Sequence, residues 1–474
     1  MNTITSTLYG YDPVNGRWLT TPTAGSVPVP GLDGHLSLDL PSRLAVSVDW
    51  GKTVHYLPSA VLQPGSVTDI VKMVRFCRSL GIKIGARGQA HAMYGQSQVN
   101  GGLLITMTSL SRIHSIESDR ASVDAGLTWK NLLTATMAQG LTPPVLTDLP
   151  LSVGGTLSVG GVDGTAYRQG LQVDHILELD VVTGEGDLIT CSMSHHRDLF
   201  EAALGGLGQC AIIVRASIKL IKAPARARAF EMAYADLESL LADFRILLAD
   251  ERFGNTVGIV PALPAGGFAY CLRGVSFYDE TPPDDSILLS GLNFVPGSVK
   301  IKDGTYFDFC DRATAVDLEK KASGRWELPH PWFIMFIPDC HAKAYMSGIL
   351  GTLTLSDIPD FPCFIYGFRK NRLTRPMPCT PNAEVFFLFN LLRTTDPERV
   401  SQAVVENRQF YDDGCTIGGR LYPISAVPLS KTDWQRHFEP HHLQFADAKA
   451  RYDPDGILTP GPGIFNEPSD CQGM

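Results

Sequence analysis

A chain of 474 residues with 44 % hydrophobic and 19 % charged side chains holds material for two or three cores and is no charged, disordered scaffold. Its formal net charge of −9 comes without any Lys/Arg run, which argues against nucleic acid as a partner. There is no apolar stretch long enough to span a membrane, no signal-like start at Met1–Ser6 and no C-x-x-C among the ten cysteines, so the expectation is a cytoplasmic protein with free thiols, no membrane and no metal.

The opening residues, rich in Gly, Pro and Thr, read as an arm. Ser66 with Asp69 three residues on resembles a capping box, and Ile70, Val74 and Cys77 recur at helical spacing before Gly81 ends the run. Ile82–Ile84 reads as a short strand entering a Gly-rich loop, Gly85 to Gly95, and Leu103–Met107 as the next strand. Thr128 caps a second helix carrying Leu132, Leu133 and Met137, closed by Gly140. A glycine-dense loop covers Val153 to Gly161. Ile176–Val182 and Asp187–Thr190 then flank Gly184-Glu185-Gly186, a hairpin signal. A short helix spans Asp198–Leu204, and a strand spans Ile212–Leu220. Composition shifts at Pro224, and Phe230 to Cys415 reads as a separate domain. The expected fold class is α+β with mixed or antiparallel pairing. Its divisions are an N-terminal segment 1–222, a substrate domain 223–417, and a segment 418–474 returning to the first domain.

The G-x-G-x-x-G fingerprint of a doubly wound dinucleotide fold is absent, because Gly205-Gly206-Leu207-Gly208 follows a helix. Two other glycine loops, Gly85–Gly95 and Gly154–Gly161, offer rows of backbone N–H groups that suit pyrophosphate oxygens. Either loop alone reads more readily as a tight surface turn.

The run Ile84-Gly85-Ala86-Arg87-Gly88-Gln89-Ala90-His91-Ala92-Met93-Tyr94-Gly95-Gln96 resembles the R-G-x-G-H-S-x-x-G-Q loop of cytokinin dehydrogenases, members of the vanillyl-alcohol-oxidase-like, PCMH-type flavoproteins. The likeness continues through Leu146-Thr147-Asp148, Ser152–Ser158, Leu177–Gly184, Leu204–Gln209, Leu328-Pro329-His330-Pro331-Trp332 and Tyr452–Gly461. It implies a two-part FAD-binding domain with a separate α+β substrate domain, and an FAD-dependent oxidase or dehydrogenase. It also implies a single covalent link from His91 to the 8α-methyl of the flavin, since Thr142 to Ser158 has no cysteine for a second. Around the cofactor it places Ala86, Arg87, Gly88, Gln89, Ala90, Ala92 and Gln96 from the first loop. Asp148, Ser152, Gly154, Gly155, Ser158 and Val162 come from the second, with Ile212, Ile213 and Thr459 beyond. Asp148 falls on the family's active-site aspartate, able to take a proton as hydride leaves the adjacent carbon. Trp332 falls on a wall of the substrate pocket.

Departures from the pattern bear on the substrate. The family's Gly-His-Ser is Ala90-His91-Ala92 here, and its terminal glutamine is Pro462. The glutamate of its V-E-G segment aligns with Val257, and the asparagine after its tryptophan with Ile334. A pocket stripped of two polar groups loses selectivity for a purine. The expectation is hydride removal from a C–N or C–OH carbon of a small, rather apolar molecule, such as a natural-product intermediate, with oxygen or a quinone as acceptor. A cytokinin dehydrogenase acting on N6-isoprenoid adenines is the alternative. A flavoprotein that sequesters a planar molecule without turnover is the alternative of another class.

Overall fold

The computed structural model describes residues 9–465; Met1–Ser6 and Cys471 lie outside them. The N-terminal half holds two main sheets, besides a small three-stranded one within residues 10–28 and a two-stranded pairing of Leu141–Thr142 with Ile221–Lys222. The first takes β1 (His35–Ser37), β2 (Ala60–Gln63), β3 (Ile84–Arg87) and β4 (Leu103–Thr106) in the order β1-β2-β4-β3. β4 pairs parallel with both β2 and β3. Parallel pairing needs a long crossover, and α1 (Val67–Ser79) supplies it, burying Ile70, Met73, Val74 and Cys77. The expected capping box does not form. Ser66 is the N-cap, but its hydroxyl donates to Asp33 at 2.8 Å, and Asp69 instead accepts the N–H groups of Asp33, Gly34 and Gly65. Tying down an incoming loop satisfies more donors than the reciprocal box would.

The second sheet is antiparallel. It contains β5 (Ile113–Ile116), β6 (Arg120–Asp124), β7 (Ile176–Thr183), β8 (Leu188–Ser192) and β9 (Ala211–Lys219), in the order β8-β7-β9-β6-β5. The hairpin read at Gly184–Gly186 closes β7 on β8 with Val182 opposite Leu188. α2 (Trp129–Met137) begins at Thr128, whose hydroxyl accepts the Asn131 N–H at 3.3 Å. The glycine-dense stretch is not all loop. Its first part winds into α3 (Val153–Leu157), because Val153 and Leu157 lie one turn apart and are both fully buried.

The second half is built on an eight-stranded antiparallel sheet. Its strands are β10 (Arg226–Tyr234), β11 (Asn255–Val260), β12 (Tyr270–Tyr278), β13 (Lys300–Thr305), β14 (Phe333–Pro338), β15 (Cys363–Arg369), β16 (Val385–Leu391) and β17 (Arg420–Leu421). They run in the order β13-β10-β12-β11-β15-β16-β14-β17. Side-chain alternation gives this sheet two masters. Phe333, Met335 and Ile337 pack with Phe244 and Leu248 of α4 (Leu237–Asp250) and with Met346 and Ile349, while Ile334 and Phe336 join the core of the N-terminal half. One face is thus held by helices and the other is turned toward the first domain.

The last segment returns to that first domain. The Ile84 N–H donates to the Ile457 carbonyl and the Thr459 N–H to the Ile84 carbonyl, each at 2.8 Å, so the C-terminal run extends the sheet beside β3. Lys449, ion-paired to Asp453 at 2.6 Å in the interior, pins the same run to the Gln209 carbonyl. Among the described residues no helix is long and apolar enough to cross a membrane.

Candidate active site

The loop after β3 is held by its carbonyls, which leaves its amides free. Trp50 N–H donates to Ala90 O at 2.7 Å and Gly51 N–H to Ala92 O at 3.0 Å, while the N–H groups of Gln89, Ala90, His91 and Ala92 meet no partner among the described residues. Ala90 sits in the left-handed region at φ 56°, the position where the resembling loops carry glycine. Arg87 does not reach into the loop; its guanidinium holds the carbonyls of Val46 and Val48 at 2.8 and 3.0 Å. Asp49 accepts the Gly95 N–H at 2.6 Å, and burial pushes its carboxyl up to about 7.

His91 is gripped by two tryptophans. Trp50 stacks on it (centroids 5.0 Å apart, planes at 15°) and Trp332 meets it edge-on at 5.6 Å. Trp50 also stacks on His330 at 4.0 Å, whose Nδ1 lies 3.1 Å from the Thr394 hydroxyl. Burial first, and then the positive charge of Lys320, hold the His91 imidazole down to about 4, so the ring is neutral and nucleophilic at pH 7.

Missing side chains allow the two glycine loops to touch. A Cβ on Gly88 would lie 1.9 Å from the Ser152 hydroxyl oxygen, and one on Gly154 would lie 2.7 Å from the Ala125 Cβ. Ser158 donates back to the Gly154 carbonyl at 2.8 Å, and Val162 is half-buried just beyond Gly161. Gly155 and Gln89 are exposed, and Ala86 is half-buried at the end of β3. Ile212 and Ile213 open β9 opposite Val182 and Val181. Thr459 joins this region through the Gln209 amide, which donates to its carbonyl at 2.9 Å. Gln96 is spent on the protein: its amide nitrogen reaches the carbonyls of Pro423 and Ser425, and its oxygen accepts the Tyr94 N–H. Free backbone donors beside a neutral imidazole, framed by glycines that admit no side chain, fit a flavin dinucleotide.

Asp148 lies between α2 and α3 with open surface, although it is set deep in the fold. Such a group lines an internal cleft. Burial and the nearby Asp163 raise its carboxyl above the ordinary range, against the opposing pull of Arg312. Of the residues assigned to a substrate wall, Trp332 is brought onto His91. Val257 and Ile334 are buried on the sheet face turned toward the N-terminal half, but β15 and β16 separate their strands. At ~4.8 Å per strand they stand roughly 14 Å apart, so they do not form one contact.

The family described as cytokinin dehydrogenase 1, FAD and cytokinin binding, matches residues 259–465, and the FAD binding domain family matches residues 58–192. An uncharacterized oxidoreductase, ORF5 of a fasciation locus in Rhodococcoides fascians, is 34 % identical over 421 residues, covering 88 % of this chain and 96 % of its own. Cytokinin dehydrogenase 9 of Oryza sativa subsp. japonica is 34 % identical over 481 residues (92 % of this chain, 91 % of that protein). Cytokinin dehydrogenase 3 of Arabidopsis thaliana is 33 % identical with the same coverage. The chain belongs to the cytokinin dehydrogenase family. It is an FAD-dependent oxidoreductase that acts on a small molecule, built as an FAD-binding domain joined to an α+β substrate domain.

Within this cytokinin dehydrogenase-like cleft the fold gathers ionisable groups that no local motif announced. Asp163 is ion-paired with Arg312 at 3.2 Å and accepts the Asn255 amide at 2.7 Å, which joins the two domains. Asp317 is pushed up to about 6 by burial and by Asp148. Lys320, 4 % exposed, lies 2.9 Å over the Phe361 ring and is held down to about 8, chiefly by burial. Tyr366 feels Asp163, Arg312 and Asp148 together. These residues are scattered over more than two hundred positions, and only strand pairing and domain closure bring them together.

Proposed function

We propose that this oxidoreductase takes a hydride from a carbon bearing nitrogen or hydroxyl on a small, largely apolar substrate, with Asp148 as proton acceptor and His91 as covalent anchor of FAD. The observation that carries the reading is a neutral His91 fixed by Trp50 and Trp332 and an open-faced Asp148 with a raised carboxyl, linked through Lys320, whose charge acts on His91 and on Asp317, the neighbour of Asp148. When bound, FAD supplies the hydride acceptor and delivers electrons to oxygen or a quinone. Asp148, ionised, accepts the proton of the substrate N–H or O–H as the neighbouring C–H bond is lost. Arg312, ion-paired with Asp163, opposes the upward shift that burial gives the Asp148 carboxyl and so favours its ionised form. The unpartnered amides of Gln89 to Ala92 are the donors for the cofactor's oxygens, and a ring nitrogen of His91 is the atom that bonds it.

Oxidation of an N6-isoprenoid adenine is the second reading, favoured by the names of the relatives. Against it stand Val257 and Ile334, both aliphatic and both buried where the resembling pattern carries Glu and Asn. Acid precipitation tests the anchor: a yellow, fluorescent pellet is expected, with the flavin mass on the peptide containing His91, and FAD washing free overturns it. Anaerobic mixing with an N6-isoprenoid adenine separates the substrates. Rapid, saturable flavin bleaching would establish the second reading, and its absence would remove it.

A further inference from the structure

The sheet face that looks into the cleft carries a cation without a counterion. Asn255 and Val257 alternate on the same side of β11, and the Asn255 amide crosses to Asp163, so this side faces the active site. Arg273 stands directly opposite Val257 on β12, and therefore on that same side. Gly258 pairs with Ile365, which sets Tyr366 opposite Val257 from the other flank. Arg273 forms no ion pair or hydrogen bond among the described residues, and its Nε is fully buried without a partner.

A half-buried guanidinium without an ion pair is costly, and although Arg215, Arg372 and Arg393 also have a buried Nε without a partner, each of their guanidinium groups holds an ion pair. Arg312 pairs with Asp163, and Arg393 with Glu406 at 2.7 Å. Glu231 is opposite Arg273 across β10 and β12, yet their charged groups stay beyond 4.0 Å, and Glu231 also faces Lys300 on β13. Burial, and next Arg312, hold the Arg273 guanidinium below its usual range, so the charge it feels most is another arginine rather than Glu231.

We propose that the substrate of this cleft is a monoanion, a small organic carboxylate, whose carboxylate is received by Arg273 beside Tyr366 and Arg312. The charge count selects the class. Of the two guanidinium groups, Asp163 takes Arg312 while Arg273 keeps no ion pair within 4.0 Å; one open guanidinium matches a single carboxylate and not a dianionic phosphate. The planar guanidinium offers two parallel N–H groups in the spacing a carboxylate accepts. With Val257 across one strand pair and Glu231, across the other, beyond 4.0 Å, a direct partner for Arg273 must come from the ligand.

The proposal rests on the functional reading of the cleft, but its test reads binding without turnover, so an error in the role of Asp148 would leave it untouched. The FAD-loaded protein is titrated with benzoate and indole-3-carboxylate, each against its neutral amide, following the flavin absorbance spectrum. Each acid is expected to bind at least ten-fold more tightly than its amide. Arg273→Gln should abolish that preference with FAD content and Tm retained, and Arg273→Lys should keep part of it. Val257→Glu, which sets a carboxylate across from Arg273, should abolish it by a separate route. Equal affinity for acid and amide in the wild type, including no binding of either, overturns the proposal, as does a preference that survives Arg273→Gln. If Arg273→Gln does not fold, the wild-type ratio and Val257→Glu decide.

Discussion

The two walls of the cleft are made by different means. The N-terminal wall is backbone: amides of residues 89–92 left open by a loop held through its carbonyls, a Gly88 whose missing Cβ lets the two loops touch, and a Gly154 that seats the second loop on Ala125. The opposite wall is side chain: Val257, Arg273, Tyr366 and Ile334, drawn from four strands and aligned only by register. A backbone wall tolerates little change, because each residue's φ, ψ and Cβ are part of the binding surface. A side-chain wall can exchange one group for another without disturbing the sheet that carries it, since either residue fits the same pleat. Cofactor and substrate recognition are thereby separable in this fold.

The sharpest test of that separation is Asp148, which belongs to the first wall but acts on what the second wall holds. Asp148→Asn should lower the anaerobic rate of flavin reduction by roughly 10²- to 10⁴-fold while leaving FAD content unchanged. The pH dependence has a definite sign. The base must be ionised and its carboxyl is raised by burial and Asp163, so the rate climbs with pH along a limb above the ordinary aspartate range of ~3.9. That limb should vanish in Asp148→Asn. An unchanged rate in the variant would take Asp148 out of the chemistry and leave the first wall purely a cofactor cradle.

The same division explains what could be read in the sequence. The loop from Ile84 to Gln96, the Ser152–Ser158 run and the Thr459 segment were legible because they are contiguous, and backbone binding demands a local pattern. Strand and helix positions such as α2 under Thr128 and the hairpin at Gly184–Gly186 followed from spacing and turn residues. Illegible were Asp163, Arg273, Arg312, Asp317, Lys320 and Tyr366, whose meaning comes from pairings across the eight-stranded sheet and between domains. Arg87 and Gln96 show the limit from the other side. Both sit inside the motif, yet their side chains hold Val46, Val48, Pro423 and Ser425 in place. A matching pattern told where the loop lies, not which atoms face the cofactor.

Within the first wall, Asp49 measures how rigidly the loop is preset. Its carboxyl is raised from the usual range to about 7 by burial, so the folded state holds its proton more tightly than the unfolded chain. Its contribution to stability is therefore complete below about pH 4 and is lost as pH rises toward 7, an effect of order a few kcal/mol. Asp49→Asn keeps an oxygen for the Gly95 N–H and removes the titration. Tm measured from pH 4 to 7 should fall less steeply in the variant than in the wild type; parallel curves would show that Asp49 is compensated elsewhere. Gly154→Ala addresses the seat of the second glycine loop on Ala125. Its Cβ meets both the Ala125 Cβ and the Ala125 carbonyl, which cannot swing aside as a hydroxyl can, so a loss of about 1–3 kcal/mol is expected in denaturant unfolding.

The smallest effect is the most specific to this chain. Ala90 holds φ at 56° immediately before His91, a conformation that costs an L-residue about 1–2 kcal/mol and glycine nothing. Ala90→Gly removes that strain but adds about 0.5–1 kcal/mol of unfolded-chain entropy, so the net gain should stay at or below about 1 kcal/mol. The alanine also narrows the choice of conformations in the free loop, whose amides must already point outward when the cofactor arrives. Ala90→Gly should therefore raise the denaturation midpoint slightly while slowing the uptake of FAD by the flavin-free chain. A rise in stability with unchanged uptake would mean that Trp50, stacked on His91 and bonded to the Ala90 carbonyl, sets the loop without help from the alanine.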